Sequence, residues 1–179
     1  TFKVGGSQMR FATLVGALGG DFRHSVIAMD GNYDAVDSLP PDADVALFRD
    51  QRHRALLPLR LRDYRSAVAR IAPDLLLTYN WGAIEWVVAN ARSGARGIHI
   101  VDGFGPEEAV RRSARRNALR RLSLSLADAV VVPSLTLQAV ALGEWNLNPA
   151  RVHYIPNGIL PDAPAAADID LPPGKARIA

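Results

Sequence analysis

Three short clusters carry the residues with chemistry to offer. The turn VGGSQ places Gly5 and Gly6 directly ahead of a helical pattern. Without β-carbons, that backbone can approach a ligand closely, and free amides at a helix start favour an anion by roughly 0.3 to 1 kcal/mol. A phosphate suits the pattern, and so does a plain strand-to-helix turn. The stretch GIHIVDGFGPEE ends an apolar run on Asp102, then breaks into Gly103, Phe104, Gly105 and Pro106. An aspartate at a strand terminus can accept from a bound hydroxyl or act on it as a base. The competing reading is a turn in which Asp102 bonds local amides; Phe104, an apolar side chain between two glycines, weighs toward ligand contact. Asn80 and Trp81 follow LLLTY, where an amide beside an indole can hold a sugar ring or simply cap a helix beside a core aromatic.

His99 lies between Ile98 and Ile100, so it belongs to a buried strand and reads either as a hydrogen-bonded core histidine or as a functional one. A nicotinamide-binding turn is a weaker reading: Asp30 ends the next strand at about the spacing of a ribose-binding acid, but GxGxxG is absent. HExxH, GxSxG and Walker A are also absent, cysteine does not occur, and the four histidines stand apart at 24, 53, 99 and 153. Metal catalysis and serine hydrolysis therefore have no support, and no metal site is expected.

The formal charge is only +3, and much of the basic excess sits in RRSARRNALRR, residues 111–121. On a helix, Arg111, Arg112, Arg115, Arg116 and Arg120 cover about half the circumference, and Arg115 falls among Leu119, Leu122 and Leu126. That placement turns Arg115 toward a cleft or makes it snorkel. A solvated face explains such a cluster most simply. Contact of Arg111, Arg112, Arg115 and Arg116 with anionic lipid or an acidic substrate comes next, and nucleic acid last, because no aromatic residues interleave the arginines.

Composition bounds these readings. The chain has 179 residues, 49% of them hydrophobic and 22% charged, enough for one folded domain with a real core. The longest apolar stretches are broken by Asn80 and Glu85 or by Asp128 and Pro133, so neither predicts a membrane span. Absence of cysteine suits a reducing compartment, and the cytoplasm is the favoured location.

The elements that must position these residues are legible as a repeat. FRHSVIAMD, DVALF, DLLLTY, GIHIVD, AVVVPS and RVHYIPN are short β-branched or leucine-rich runs, each followed by a break and a helical pattern. Strand then helix, repeated, predicts an α/β fold with a doubly wound parallel sheet and helices on both faces. Phe11, Leu14, Val15 and Leu18 form one helical stripe, and Leu57, Leu61, Tyr64, Val68 and Ile71 another. Asn80 stands as the N-cap of a helix from Trp81 to about Arg92, and Pro106 with Glu107 and Glu108 opens another. In such a sheet ligands sit outside the carboxyl ends of the strands. Gly5 and Gly6, Asp30 to Asn32, Tyr79 and Asn80, Asp102 and Gly103, Ser134, and Asn157 with Gly158 should therefore converge on one rim.

The ordered set GGSQ, PDLLLTYNWGAIEW, IHIVDGFGPEE, LRRLSLSLADAVVVPS and RVHYIPNGI resembles the N-terminal half of a retaining GT-B glycosyltransferase of family 4, over residues 3–160. The resemblance implies two Rossmann-like domains across a cleft, the first binding mainly the acceptor and the second the nucleotide-sugar donor. It makes residues 1–160 the first domain, with its first strand truncated, and 161–179 a proline- and alanine-rich linker leading to a missing C-terminal domain. It also implies a hexosyltransferase-like enzyme, inactive as this half alone, with a nucleotide-sugar as co-substrate, no further cofactor, and a carbohydrate or lipid-linked acceptor. Gly5 and Gly6 would lie near the donor phosphates and acceptor. Many members present a histidine to the transferred sugar; here Asp102 stands at that position and His99 three residues earlier, so both are candidates. Asn80, Trp81, Gly103 and Arg115 would line the substrate side, with peripheral contact at the inner membrane face as an additional option and no nucleic acid. The rival reading is a non-catalytic nucleotide- or effector-binding module of the same doubly wound fold.

Overall fold

A computed structural model of the chain describes residues 1–49, 56–104, 108 and 113–158. Helix α1 (Gly6–Leu18) leads into β1 (His24–Ala28), and β2 (Val45–Arg49) follows a short 3-10 segment at Asp34–Ser38. Helix α2 (Leu57–Ile71), β3 (Leu75–Tyr79), a 3-10 turn at Trp81–Ala83 and α3 (Ile84–Asn90) come next. The chain continues through β4 (Arg96–Ile100), α4 (Ala114–Leu124), β5 (Ala129–Val132), α5 (Leu135–Gly143) and β6 (Val152–Tyr154). All strand pairs are parallel, helices lie on both sides of the sheets, and the architecture is Rossmann-like, as the strand-helix repeat predicts.

The ladders form two groups, β1 with β2 and β3-β4-β5-β6 in that order. Among the described residues no ladder joins β1 to β3. The link is apolar: Ile27 and Met29 from the end of β1 and Leu76 of β3 pack on the same cluster of Tyr64, Val68 and Trp86 beneath α2 and α3. The crossover from β1 to β2 is made without an α-helix, and Tyr33 ties the pair, its hydroxyl accepting from the Ala28 amide at 3.0 Å and donating to the Phe48 carbonyl.

Local chemistry sets the helix ends. Pro58 occupies the first turn of α2, whose missing amide costs nothing there, and the helix stops at Ala72 in the left-handed region ahead of Pro73. Ser113 and Ser134 cap α4 and α5, each accepting from the amide three residues on, at 3.4 and 3.2 Å. Asn80 does not cap through its side chain, contrary to the sequence pattern. Its carboxamide is used at the rim described below.

The stripe on α2 behaves as expected, with Tyr64 and Val68 buried. On α1 the inward residues are Ala12, Val15 and the partly buried Phe11, whereas Leu14 and Leu18 stay more than a third exposed. The largest cluster centres on Trp145, Val132 and Ala141, all fully buried, between β5, β6 and α5. No helix among the described residues is long and apolar enough to cross a membrane.

Candidate functional site

Asp102 follows the carboxyl end of β4 and is the meeting point of three segments. Ser7 Oγ, in the first turn of α1, donates to Asp102 Oδ2 at 2.6 Å. Arg10, one helical turn further, forms an ion pair with Asp102 Oδ1 and also donates to Asn157 Oδ1 beyond β6. From the end of β3, Asn80 Oδ1 accepts the Asp102 amide at 2.8 Å, and its Nδ2 reaches Oδ2 at 3.4 Å. The glycine turn, Asn80, Asp102 and Asn157 thus share one rim, as the strand-end rule predicts. Asp30, by contrast, is occupied in a local turn, accepting from the Asn32 amide at 3.1 Å.

The rim is electrostatically settled yet partly open. Asp102 and Arg10 keep about a quarter of their side-chain surface in solvent, 22% and 28%. Oδ2 is taken by two donors and Oδ1 by one, so the carboxylate has room for one more donor, such as a ligand hydroxyl. Arg10 also lies 6.0 Å over the Tyr79 ring, whose hydroxyl is pushed above its ordinary pKa by burial. Asn80 adopts φ 57 and ψ −175, a region that side-chain-bearing residues avoid at a cost of about 1 to 3 kcal/mol. The two hydrogen bonds to Asp102 hold it there.

Glycine matters unequally here. A β-carbon on Gly6 or Gly103 would meet nothing within 4 Å, and one on Gly5 would meet the flexible end of Gln8 at 3.0 Å and the Lys3 carbonyl at an ordinary 3.8 Å. The fold itself therefore leaves space at Gly6 for a larger residue.

Trp81, next in sequence to Asn80, turns to a second cluster. Glu108 is 3% exposed and Arg120 5%. Arg120 Nη1 and Nη2 donate to the Glu108 carboxylate at 3.0 and 2.7 Å, and Arg116 Nη1 adds a bond at 3.1 Å. The Arg120 guanidinium sits 5.0 Å from the Trp81 ring and 5.3 Å from those of Phe104 and Trp145. Asn117 completes the cage, its Oδ1 accepting from Arg120 at 3.3 Å and from Trp145 Nε1 at 3.1 Å. Hydrogen bonds from Arg120, then from Arg116, hold the Glu108 carboxyl at about 2, far below its ordinary range. Phe104 is accordingly a packed side chain, edge-on to Trp145 at 6.2 Å, not a loose loop residue.

This arrangement inverts α4. Its inward face carries Arg116, Asn117, Arg120, Ser123 and Leu124, while Leu119 and Leu122, with Leu126 just beyond, face outward beside Arg115. Of the two placements that the sequence pattern allows Arg115, toward the cleft or snorkelling, the first does not occur: Arg115 is exposed on the outward face. Glu108 and three aromatic rings make burial of Arg120 affordable, and the leucines are displaced to the surface.

A family model described as Glycosyltransferase Family 4 matches residues 4–163. The chain belongs to glycosyltransferase family 4. No curated protein matches it. In this family 4 domain the rim residues Gly5, Gly6, Asn80 and Asp102 are brought together as the sequence pattern predicts, whereas the Trp81 indole, expected on the same rim, packs against Arg116 and Arg120. His99 lies elsewhere. It is 2% exposed within β4, pairs in register with Thr78 of β3, and its Nδ1 lies 2.8 Å from Thr78 Oγ1. Burial, and then the charge of Arg120, lower its pKa to about 4, so it is a neutral core histidine at neutral pH. Of the two residues considered for contact with a sugar, Asp102 is the one at the surface.

Ser7 and Arg10 were not legible as partners of Asp102, although their spacing from Gly6 on one helix is a usable signal. Glu108 and Arg120, twelve positions apart, offer none. Gly105, Pro106, Glu107, Arg111, Arg112 and residues 161–179 lie outside the described residues.

Proposed function

We propose that this domain is the acceptor-side half of a retaining glycosyltransferase that uses a nucleotide-sugar donor, and that the Ser7, Arg10, Asn80 and Asp102 rim is its working surface. The single observation carrying this reading is the convergence of the α1 start and the β3 end on the partly exposed carboxylate that follows β4, with Asn157 beyond β6 joined to it through Arg10. In this reading Asp102 is a hydrogen-bond acceptor that orients an acceptor hydroxyl through its remaining lone pair. Arg10 and the amides opening α1 supply fixed positive potential toward a diphosphate leaving group, which gains charge as the glycosidic bond breaks. Retention would follow from acceptor attack on the face that the leaving group vacates, with the diphosphate taking the hydroxyl proton. Asp102, already bonded by Arg10, Ser7 and Asn80, positions and does not exchange protons.

Because Gly6 has free space for a β-carbon, Gly6→Ala leaves the fold intact and intrudes only on a ligand. In the full-length protein, transfer of radiolabelled sugar should fall roughly 100-fold in Asp102→Asn and clearly in Gly6→Ala, since small misplacements at a reacting centre cost that much, with unchanged unfolding temperature in Gly6→Ala. Wild-type turnover in both variants overturns the assignment. Tight stoichiometric binding of a nucleotide-sugar by the domain alone would favour the effector-binding alternative.

A further inference from the structure

The outward face of α4 has no role in the rim and no explanation in the core. Leu119, Leu122 and Leu126 are 42%, 67% and 48% exposed; the first two stand at i and i+3 on one side of α4, and Leu126 follows in the turn that closes the helix. Arg115 extends the same stripe toward the helix start, and Arg121 flanks it. Helix α4 contains no acidic residue, and neither of these two guanidinium groups meets a carboxylate among the described residues. The two arginines that do find one, Arg116 and Arg120, are those turned inward to Glu108.

We infer that this face docks on an anionic lipid bilayer, the leucines entering the headgroup boundary while Arg115 and Arg121 bond lipid phosphates. The charge pattern selects that occupant. A protein partner covering the stripe would have to desolvate two guanidinium groups that meet no carboxylate among the described residues and supply one for each. A layer of anionic headgroups supplies acceptors wherever the arginines reach, and the long side chains keep their charges at the level of the phosphates. The leucines need only a shallow apolar layer, which suits a helix that cannot span one. The inference is independent of the transfer reaction, because none of these residues touches the rim.

Flotation of the full-length protein tests it, using vesicles of phosphatidylcholine alone and of phosphatidylcholine mixed with phosphatidylglycerol. Wild-type protein should float with the mixed vesicles and remain behind with the neutral ones. Each arginine near an anionic surface contributes about 1 kcal/mol, about a fivefold change in affinity, so Arg115→Gln/Arg121→Gln should bind roughly 25-fold more weakly. Arg115→Lys/Arg121→Lys should bind as wild type, because charge and not geometry carries this attraction. Leu119→Ser/Leu122→Ser/Leu126→Ser should lose binding at all salt concentrations, with an unfolding temperature no lower than wild type. Absence of wild-type flotation on mixed vesicles, equal flotation on neutral ones, or unimpaired flotation of the glutamine and serine variants overturns the inference.

Discussion

Replacing Glu108 with glutamine puts the inverted packing of α4 to a direct measurement. The wild-type carboxylate takes two bonds from Arg120, at 3.0 and 2.7 Å, and one from Arg116 at 3.1 Å. Glutamine keeps the volume but removes the charge and turns an amide donor toward guanidinium groups. Removing one partner of a buried ion pair costs about 3 to 5 kcal/mol. Trp81, Phe104, Trp145 and Asn117 still surround the Arg120 guanidinium, and such aromatic contacts retain about 0.5 to 2 kcal/mol of attraction. The low end, about 3 kcal/mol, is therefore expected. For a chain of this size each kcal/mol moves the unfolding temperature by about 2 to 4 °C, so Glu108→Gln should lower it by about 6 to 12 °C. Tryptophan fluorescence is a suitable readout, since Trp81 and Trp145 both face the pair. Glu108→Gln/Arg120→Met, which removes both charges, should cost less than the sum of the single variants by about 2 kcal/mol. The acid limb supplies a further check: a carboxyl lowered in the fold from 4.5 to about 2 stabilises fully above 4.5, and that contribution is lost as pH falls toward 2. Glu108→Gln should lack that component. A drop below about 2 °C, or additive single variants, would refute the view that this pair holds the helix in place.

The buried neutral His99 sets a second pH window. Its folded pKa of about 4 against 6.5 means the unfolded chain binds the proton first, so stability falls as pH drops from 6.5 to 4, by about 3 kcal/mol at most. His99→Gln should flatten the unfolding temperature across that window, and an unchanged slope contradicts the assignment of the histidine to the core. Asn80→Gly removes the unfavourable backbone geometry along with the bonds to Asp102, so stability should change by less than about 1 kcal/mol while sugar transfer by the full-length protein drops. A large stability loss with normal transfer would make Asn80 purely structural. Arg10→Gln breaks a partly exposed ion pair worth about 1 kcal/mol or less. Its unfolding temperature should therefore fall by only about 2 to 4 °C while transfer falls far more; equal effects on both would remove Arg10 from the proposed working surface.

The sequence by itself determined the periodic parts of this protein. Alternation of short apolar runs with helical stripes marked every strand from His24–Ala28 to Val152–Tyr154, because burial on both faces of a parallel sheet demands continuous apolar runs. The strand-end rule gathered Gly5, Gly6, Asn80, Asp102 and Asn157 in advance, since a parallel sheet puts all its carboxyl ends on one edge. Tertiary structure decided what periodicity cannot encode. Whether Asn80 caps a helix or bonds Asp102, and whether Asp102 is a free base or the partner of Arg10, depends on groups brought close only when distant segments fold together. The orientation of α4 is the clearest instance. A hydrophobic pattern places leucines inward, yet the buried face went to Arg120, because Glu108 and three aromatic rings compensate its charge. Compensation of that kind is a property of the assembled neighbourhood, and no one segment carries it.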